Sequence, residues 1–158
     1  MKKIGFELKW ALLFAVMQLL WMLFEKSMGW HDERIGQHAV YTNLVAIPAI
    51  ALYVVALLDI RKNKFGGRMS WKQGFMSGAL ISVIVSALSP LVLWITMEYI
   101  TPHFFENAVR YAVSNGKSTQ AEAEAYFNLR NYTIQGLIGS LAMGLVTSAL
   151  VALFVRKK

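Results

Sequence analysis

Residues 136–158 read "GLIGSLAMGLVTSALVALFVRKK", and every fourth position from the first is small: Gly136, Ser140, Gly144, Ser148 and Ala152. A second ladder, Gly74, Gly78, Ser82 and Ser86, opens the stretch "GFMSGALISVIVSALSP". Small residues waste the apolar area that a lipid-facing helix would carry. They make sense as contact surface. In lipid, helix association gains nothing from excluding water, so it rests on close van der Waals packing and interhelical hydrogen bonds. A strip without side chains lets two backbones approach. A four-residue repeat on a 3.6-residue helix also drifts slowly round the axis, as a small-xxx-small crossing at about −40° requires. Ser82, Ser86, Ser140 and Ser148 can bond a carbonyl one turn back or reach across such a seam. The strips are therefore expected to pack helix on helix, within one chain or between two; the alternative is that they line a small polar cavity.

Composition puts those helices in a bilayer. The chain of 158 residues is 56% hydrophobic and 16% charged, with a mean hydropathy of +0.45, too apolar for an ordinary water-facing surface. Residues 10–24, 35–58, 73–97 and 131–155 contain no Asp, Glu, Lys or Arg. A spanning helix needs roughly 20 mainly apolar residues, so three stretches suffice outright. In the first, Lys9 can snorkel at one end, Glu25 and Lys26 can sit among the headgroups, and "SMGW" extends the helix. The opening "MKKIGFELKW" has the basic character of a signal peptide, but "EKSMGW" offers no small-x-small cleavage site, so a retained first helix is expected. The fold class is all-α and polytopic, one domain over 1–158. Spans fall near 8–30, 38–59, 73–98 and 132–155, with an extramembrane amphipathic helical insert over about 101–131.

The loops orient the spans. Lys2, Lys3 and Lys9, then Arg61, Lys62, Lys64, Arg68 and Lys72, then Arg156, Lys157 and Lys158 share one side, against Lys26, Arg34, Arg110, Lys117 and Arg130 on the other. The positive-inside rule places both termini in the cytoplasm, so the net charge of +7 is first a topology signal. Arg61, Lys62, Lys64, Arg68 and Lys72 are candidate contacts for anionic lipid, at roughly 1 kcal/mol each. A nucleic-acid partner is not expected, because these charges occupy a short hairpin against the membrane rather than a folded basic face. Trp10 and Trp71 fall at the inner boundary; Trp30, Tyr41, Trp94, Tyr99 and Tyr132 fall near the outer one, as interfacial rings do. Only Trp21 and Tyr53 sit deeper.

Chemistry is sparse. Pro48 and Pro90 lie within spans and each should kink its helix. No ionisable residue lies mid-membrane, where ion and proton pathways place theirs; Gln18 and Asn43 are the nearest polar groups, expected to hydrogen-bond between helices. In the insert, "TPHFFENAVRYAVSNG" offers Thr101 as N-cap, Pro102 at the first helical position and Asn115-Gly116 as a stop. Phe105, Ala108, Val109 and Ala112 share one face, which should lie on the bilayer or the bundle mouth. "STQAEAEAYFNLRNY" offers Thr119 and Glu122 as a capping box, with helix propensity enough to run unbroken into the last span. No zinc motif, phosphate loop or nucleophile elbow appears. His31, His38, His103 and Glu106 are the candidate metal ligands, all on the outer side and needing two loops to converge. Absence of cysteine excludes disulfides and thiol catalysis. Neither a metal nor another cofactor is expected.

The hairpin "RKNKFGGRMSWKQGFMSGALIS" resembles the corresponding junction of a bacterial four-helix membrane family, domain-of-unknown-function family 4199: a span ending in basic residues, a Gly-Gly turn, an aromatic, and a glycine-rich third span. "AVSNGKSTQAEAEAYFNLRNYTIQG" is similar to that family's outer helical insert. The resemblance implies an inner-membrane protein and supplies no catalytic residues. The expected function is a non-enzymatic helix-packing module, with the lipid bilayer and a second copy or another membrane protein as partners. The alternatives are a transporter or channel subunit, with a polar cavity at Pro48, Pro90, Gln18 and the serines, and a lipid-binding protein using the outer His and acidic residues. Because the chain has no native cysteine, topology is directly testable. Ser70→Cys and Ser118→Cys should label from opposite sides of the membrane, with only the latter reached by an impermeant thiol reagent in intact cells; equal labelling overturns the orientation.

Overall fold

A computed structural model describes residues 4–157; Lys2, Lys3 and Lys158, three of the basic residues counted for topology, lie outside them. The chain is all-helical, with no strand among the described residues: α1 (Gly5–Ser27), α2 (Ile35–Tyr41), a 3-10 turn (Thr42–Val45), α3 (Ala46–Asn63), α4 (Trp71–Ile95) with a π-turn (Thr96–Ile100), α5 (Phe104–Ser114), α6 (Gln120–Tyr126) and α7 (Leu129–Val155). Four segments are long and apolar enough to cross a membrane: Gly5–Ser27, Ile35–Asn63, Trp71–Ile100 and Leu129–Val155.

The two ladders face each other along the most extensive contact in the bundle, α4 against α7. They run antiparallel, rung to rung. A Cβ on Gly74 would lie 3.1 Å from the Ala152 Cβ, one on Gly78 would lie 2.5 Å from the Ser148 Oγ, and one on Gly144 would lie 2.5 Å from the Ser82 Oγ. The seam is therefore within one chain. Its serines are satisfied locally: Ser82 Oγ donates to Gly78 O at 2.8 Å and Ser148 Oγ to Gly144 O at 2.6 Å. Tyr53 reaches in from α3, its hydroxyl 2.8 Å from Ser82 Oγ. A Cβ on Gly144 would stand 2.8 Å from that same hydroxyl, so the glycine makes room for three helices. The outer rungs part company. Ser86 Oγ still donates across to Leu137 O at 2.8 Å, but Ser140 bonds back to its own helix, and Gly136 would meet only Ser89 at 3.6 Å.

Around this pair, α1 packs on α4 and α3, and α3 packs on α7. Trp10, Phe14, Tyr53, Leu57, Ile60, Ile81, Val85 and Val151 form the apolar core in the half that holds the chain ends. Polar ties close that end. Met69 and Lys157 exchange backbone hydrogen bonds at 2.9 Å, Arg61 Nη1 donates to Val155 O at 2.7 Å, and Trp10 Nε1 donates to Asp59 Oδ2 at 2.7 Å. The Lys64 ammonium bonds the fully buried Glu7 carboxylate. Two of the five basic residues taken as lipid contacts, Arg61 and Lys64, are thus turned into the protein, while Lys62, Arg68 and Lys72 stay exposed.

Several expected boundaries move, each for a local reason. α1 stops at Ser27 rather than near residue 30, because Gly29 takes φ +74° and closes a Schellman motif, its N–H bonding Lys26 O and that of Trp30 bonding Glu25 O. Trp30 is consequently buried, stacked on Tyr41 at 4.8 Å between ring centroids. α5 begins at Phe104, with His103 and not Thr101 at its cap; Thr101 ends the π-turn instead, bonding Thr96 O at 2.8 Å. The insert does not run into α7. Asn128 breaks it, capping α7 through Asn131 N at 3.0 Å while its amide donates to Ala125 O at 2.8 Å, a short side chain competing with the helical backbone. Asn43 spends its amide on Ala39 O of its own helix rather than on a neighbour.

The prolines differ. Pro48 falls in the first turn of α3, where a missing N–H costs no intrahelical bond. Pro90 is interior to α4 and would orphan the carbonyl of Ser86, which the Ser89 hydroxyl takes up at 2.8 Å.

Two outcomes follow. Gly78→Leu and Gly144→Leu should each lower the stability of the detergent-purified monomer by about 1–3 kcal/mol through overpacking, whereas Gly139→Leu, with nothing within 4 Å of its would-be Cβ, should be near silent; equal melting temperatures for all three refute the seam. Lys64→Ala strands the buried Glu7 carboxylate and should cost about 3 kcal/mol, largely recovered in Glu7→Leu/Lys64→Leu, since breaking a buried pair costs more than replacing it.

Candidate functional site

At the opposite end of the bundle the helices separate. α3 fills the space between α1 and α7 in the half with the chain ends. In the other half none of its residues lines the space, and a cleft of about 410 Å³ opens between α1, α4 and α7. Ala15, Gln18 and Met22 of α1, Val85, Ser89 and Val92 of α4, and Gly136, Ser140 and Met143 of α7 form its body. The wall is almost entirely carbon. Of the residues that a polar cavity was expected to gather, Gln18 and Ser140 line it, and Pro48, Pro90, Ser82, Ser86 and Ser148 do not. The small-residue ladder of α7 thus does two things: its lower rungs pack, and Gly136 and Ser140 bound the cleft.

The polar end of the cleft is built from the turn between α1 and α2. His31, His38, Thr42, Thr101 and Tyr132 line it, with Phe104 from α5. Behind the two imidazoles stands Glu25, fully buried in the last turn of α1, not placed among headgroups as its position in the sequence suggests. His31 Nε2 donates to Glu25 Oε2 at 2.9 Å, and His38 Nδ1 lies 3.4 Å from the same oxygen. Trp21 Nε1 donates to the other carboxylate oxygen. Asn107 Nδ2 donates to the His31 backbone carbonyl at 3.1 Å, tying the turn to α5. Phe104 holds both rings edge-on, its centroid 5.3 Å from His31 and 5.0 Å from His38.

The four residues singled out as metal candidates therefore divide. His31 and His38 converge, and Glu25 completes the group: one ligand atom from each of the three lies within 4.8 Å of the others. His103 and Glu106 remain on exposed faces of the insert, 3.4 Å apart, with Arg110 Nη2 donating to Glu106 at 2.6 Å. Sequence reading missed Glu25 because it ended a hydrophobic run and had an obvious role as an anchor. The available signal was Gly29, a chain reversal that returns His31 and His38 past the helix end. On the insert, Thr119 and Glu122 close the capping box, and the hydrogen bonds from the Thr119 backbone and side chain hold the Glu122 carboxyl below the ordinary value. The apolar face of α5, Ala108, Val109 and Ala112, packs on α6 and α2 and roofs the bundle.

Among known proteins, a family model described as "Protein of unknown function (DUF4199)" matches residues 9–157. No curated protein and no solved structure matches the chain.

The histidine-carboxylate group should brace the outer end of the fold. Glu25→Ala removes the only hydrogen-bond partner of the buried His31 ring among the described residues and should cost about 1–3 kcal/mol, read as a lower melting temperature; the exposed-pair variant Glu106→Ala should change it by less than about 0.5 kcal/mol.

Proposed function

The chain belongs to the DUF4199 family, and we propose on the geometry of its cleft that it is a non-enzymatic binding module of the bacterial inner membrane, taking a lipophilic molecule with a polar head. The carrying observation is the cleft itself. Its volume of about 410 Å³ lies within the range of small-molecule sites, which are typically apolar with a few placed polar groups. Here most of those groups gather at one end, as His31, His38, Thr42, Thr101 and Tyr132, with Gln18, Ser89 and Ser140 along the body. An amphiphile matches that arrangement: its chain replaces lipid against Ala15, Val92 and Met143, and its head meets hydrogen-bonding groups at the membrane boundary.

In this reading both termini are cytoplasmic, because Lys9, the basic loop of residues 61–72 and Arg156 share one end of the bundle with the paired backbones of Met69 and Lys157. The cleft then opens in the outer leaflet. A packing module built on the small-residue strips is the weaker alternative, since the close rungs of both strips are consumed inside the chain. A second copy or another membrane protein would have to use other faces, such as the exposed Ile138, Val146 and Phe154 of α7.

Native mass spectrometry of the detergent-extracted protein tests the proposal. The wild type should retain one amphiphile per chain, and Ala15→Phe, which projects into the cleft, should lower its occupancy by about tenfold, equivalent to roughly 1.4 kcal/mol of overpacking. Phe154→Ala, at the other end, should retain it. A wild type that carries no amphiphile, or equal occupancy in Ala15→Phe, overturns the proposal.

A further inference from the structure

We infer that Glu25, His31 and His38 form a binding site for a divalent transition-metal ion of the Zn²⁺ class, with one coordination position open to the cleft. Donor chemistry points there first. Two imidazole nitrogens and one carboxylate oxygen are the ligand set of borderline cations; Ca²⁺ and Mg²⁺ take oxygen cages, and Cu(I) takes sulfur. Geometry agrees. With bonds of about 2.0–2.1 Å, a tetrahedral ion holds its ligand atoms roughly 3.3 Å apart. Glu25 Oε2 already lies 2.9 Å from His31 Nε2 and 3.4 Å from His38 Nδ1, and all three ligand atoms lie within 4.8 Å of one another, so an ion can replace the proton once the two imidazoles close toward each other.

Two further observations set this group apart from an ordinary hydrogen-bonded latch. His38 Nδ1 is buried and faces the carboxylate but has no hydrogen bond among the described residues. A single carboxylate oxygen with two imidazoles turned on it is under-used as a latch and complete as three sides of a coordination shell. The surroundings also hold the donors in place, which is what metal sites need beyond their ligands. Trp21 occupies Glu25 Oε1, leaving Oε2 to face the histidines, Asn107 pins the His31 backbone, and Phe104 fixes both rings. Both histidines line the cleft, so the fourth position opens onto it. On the other side, His31 also lines a hollow of about 360 Å³ in which Asp32 and Glu106 are balanced by Lys26 and Arg110, a second approach to the site from outside the cleft. The ion would leave the site with one net positive charge after Glu25, and it stands whether or not the cleft holds an amphiphile.

The test uses the full chain, purified in detergent without a histidine tag and stripped with chelator. Zn²⁺ should bind at one equivalent and raise the melting temperature, because a ligand of the native state alone stabilises it; Co²⁺ should bind with the visible absorption of a four- or five-coordinate nitrogen-oxygen site. His38→Ala removes the most accessible ligand, 20% exposed, so it leaves the fold most nearly intact. It should weaken Zn²⁺ by more than tenfold, since loss of even an outer-shell partner costs on the order of 10–100-fold. Glu25→Gln should do the same, and His103→Ala/Glu106→Gln should not. Absence of stoichiometric Zn²⁺ in the wild type overturns the site, as does Zn²⁺ stabilisation that survives His38→Ala or disappears in His103→Ala/Glu106→Gln.

Discussion

Two helix backbones can approach to near contact only where neither carries a side chain, and the α4–α7 seam is organised by that constraint. At Gly78 and Gly144 the space a Cβ would need is held by a serine hydroxyl from the facing helix. The serines in turn can sit there because each returns its proton to a carbonyl one turn back, so close approach strands no polar group in a lipid-like interior. Everything else is arranged on the resulting pair. Tyr53 enters where Gly144 leaves room, α1 covers the outer flank of α4, and the two polar ties at Met69 and Arg61 fasten the end of α7 to the α3–α4 hairpin.

The bundle stops being packed where a third helix is missing. Past Ser86 the α4–α7 contact loosens but persists, and a Cβ on Gly136 would meet Ser89 at 3.6 Å. No residue of α3 enters the space between α1 and α7 at that height, and the cleft occupies it. Packing and cavity lining, which the sequence offered as rivals, hold at different heights on one helix.

The seam was legible in the primary structure because a period of four over sixteen residues is a statement about one face of a helix, and nothing else needs to be known. The four apolar spans were legible for the same reason of local pattern, and the capping box at Thr119 and the stop at Gly116 obeyed short-range rules. What escaped were features created by chain reversal. Glu25 could be read as a headgroup anchor only while α1 was taken to run through "SMGW"; the positive φ of Gly29 ends the helix early and folds His31 and His38 back over the carboxylate. Glu7 and Lys64 are separated by most of two helices, so their pairing depends on the lateral order of the bundle. Asn128 shows a subtler failure: a helix-favouring run was broken by one residue whose side chain serves as backbone partner at both sides of the break.

The order of the four spans along the chain has a consequence for biosynthesis. α4 carries half of the central contact, but its partner is the last of the four to be made, after α5 and α6. Until α7 enters the bilayer, Gly74, Gly78 and Ser82 face lipid with nothing to fill their groove, and Tyr53 has only half of its niche. α1, α3 and α4 can therefore gather early only as a loose three-helix group, because the close backbone contact that organises the fold waits for α7. Arrival of α7 closes the groove and, through Arg61 and Met69, secures the final turn behind it.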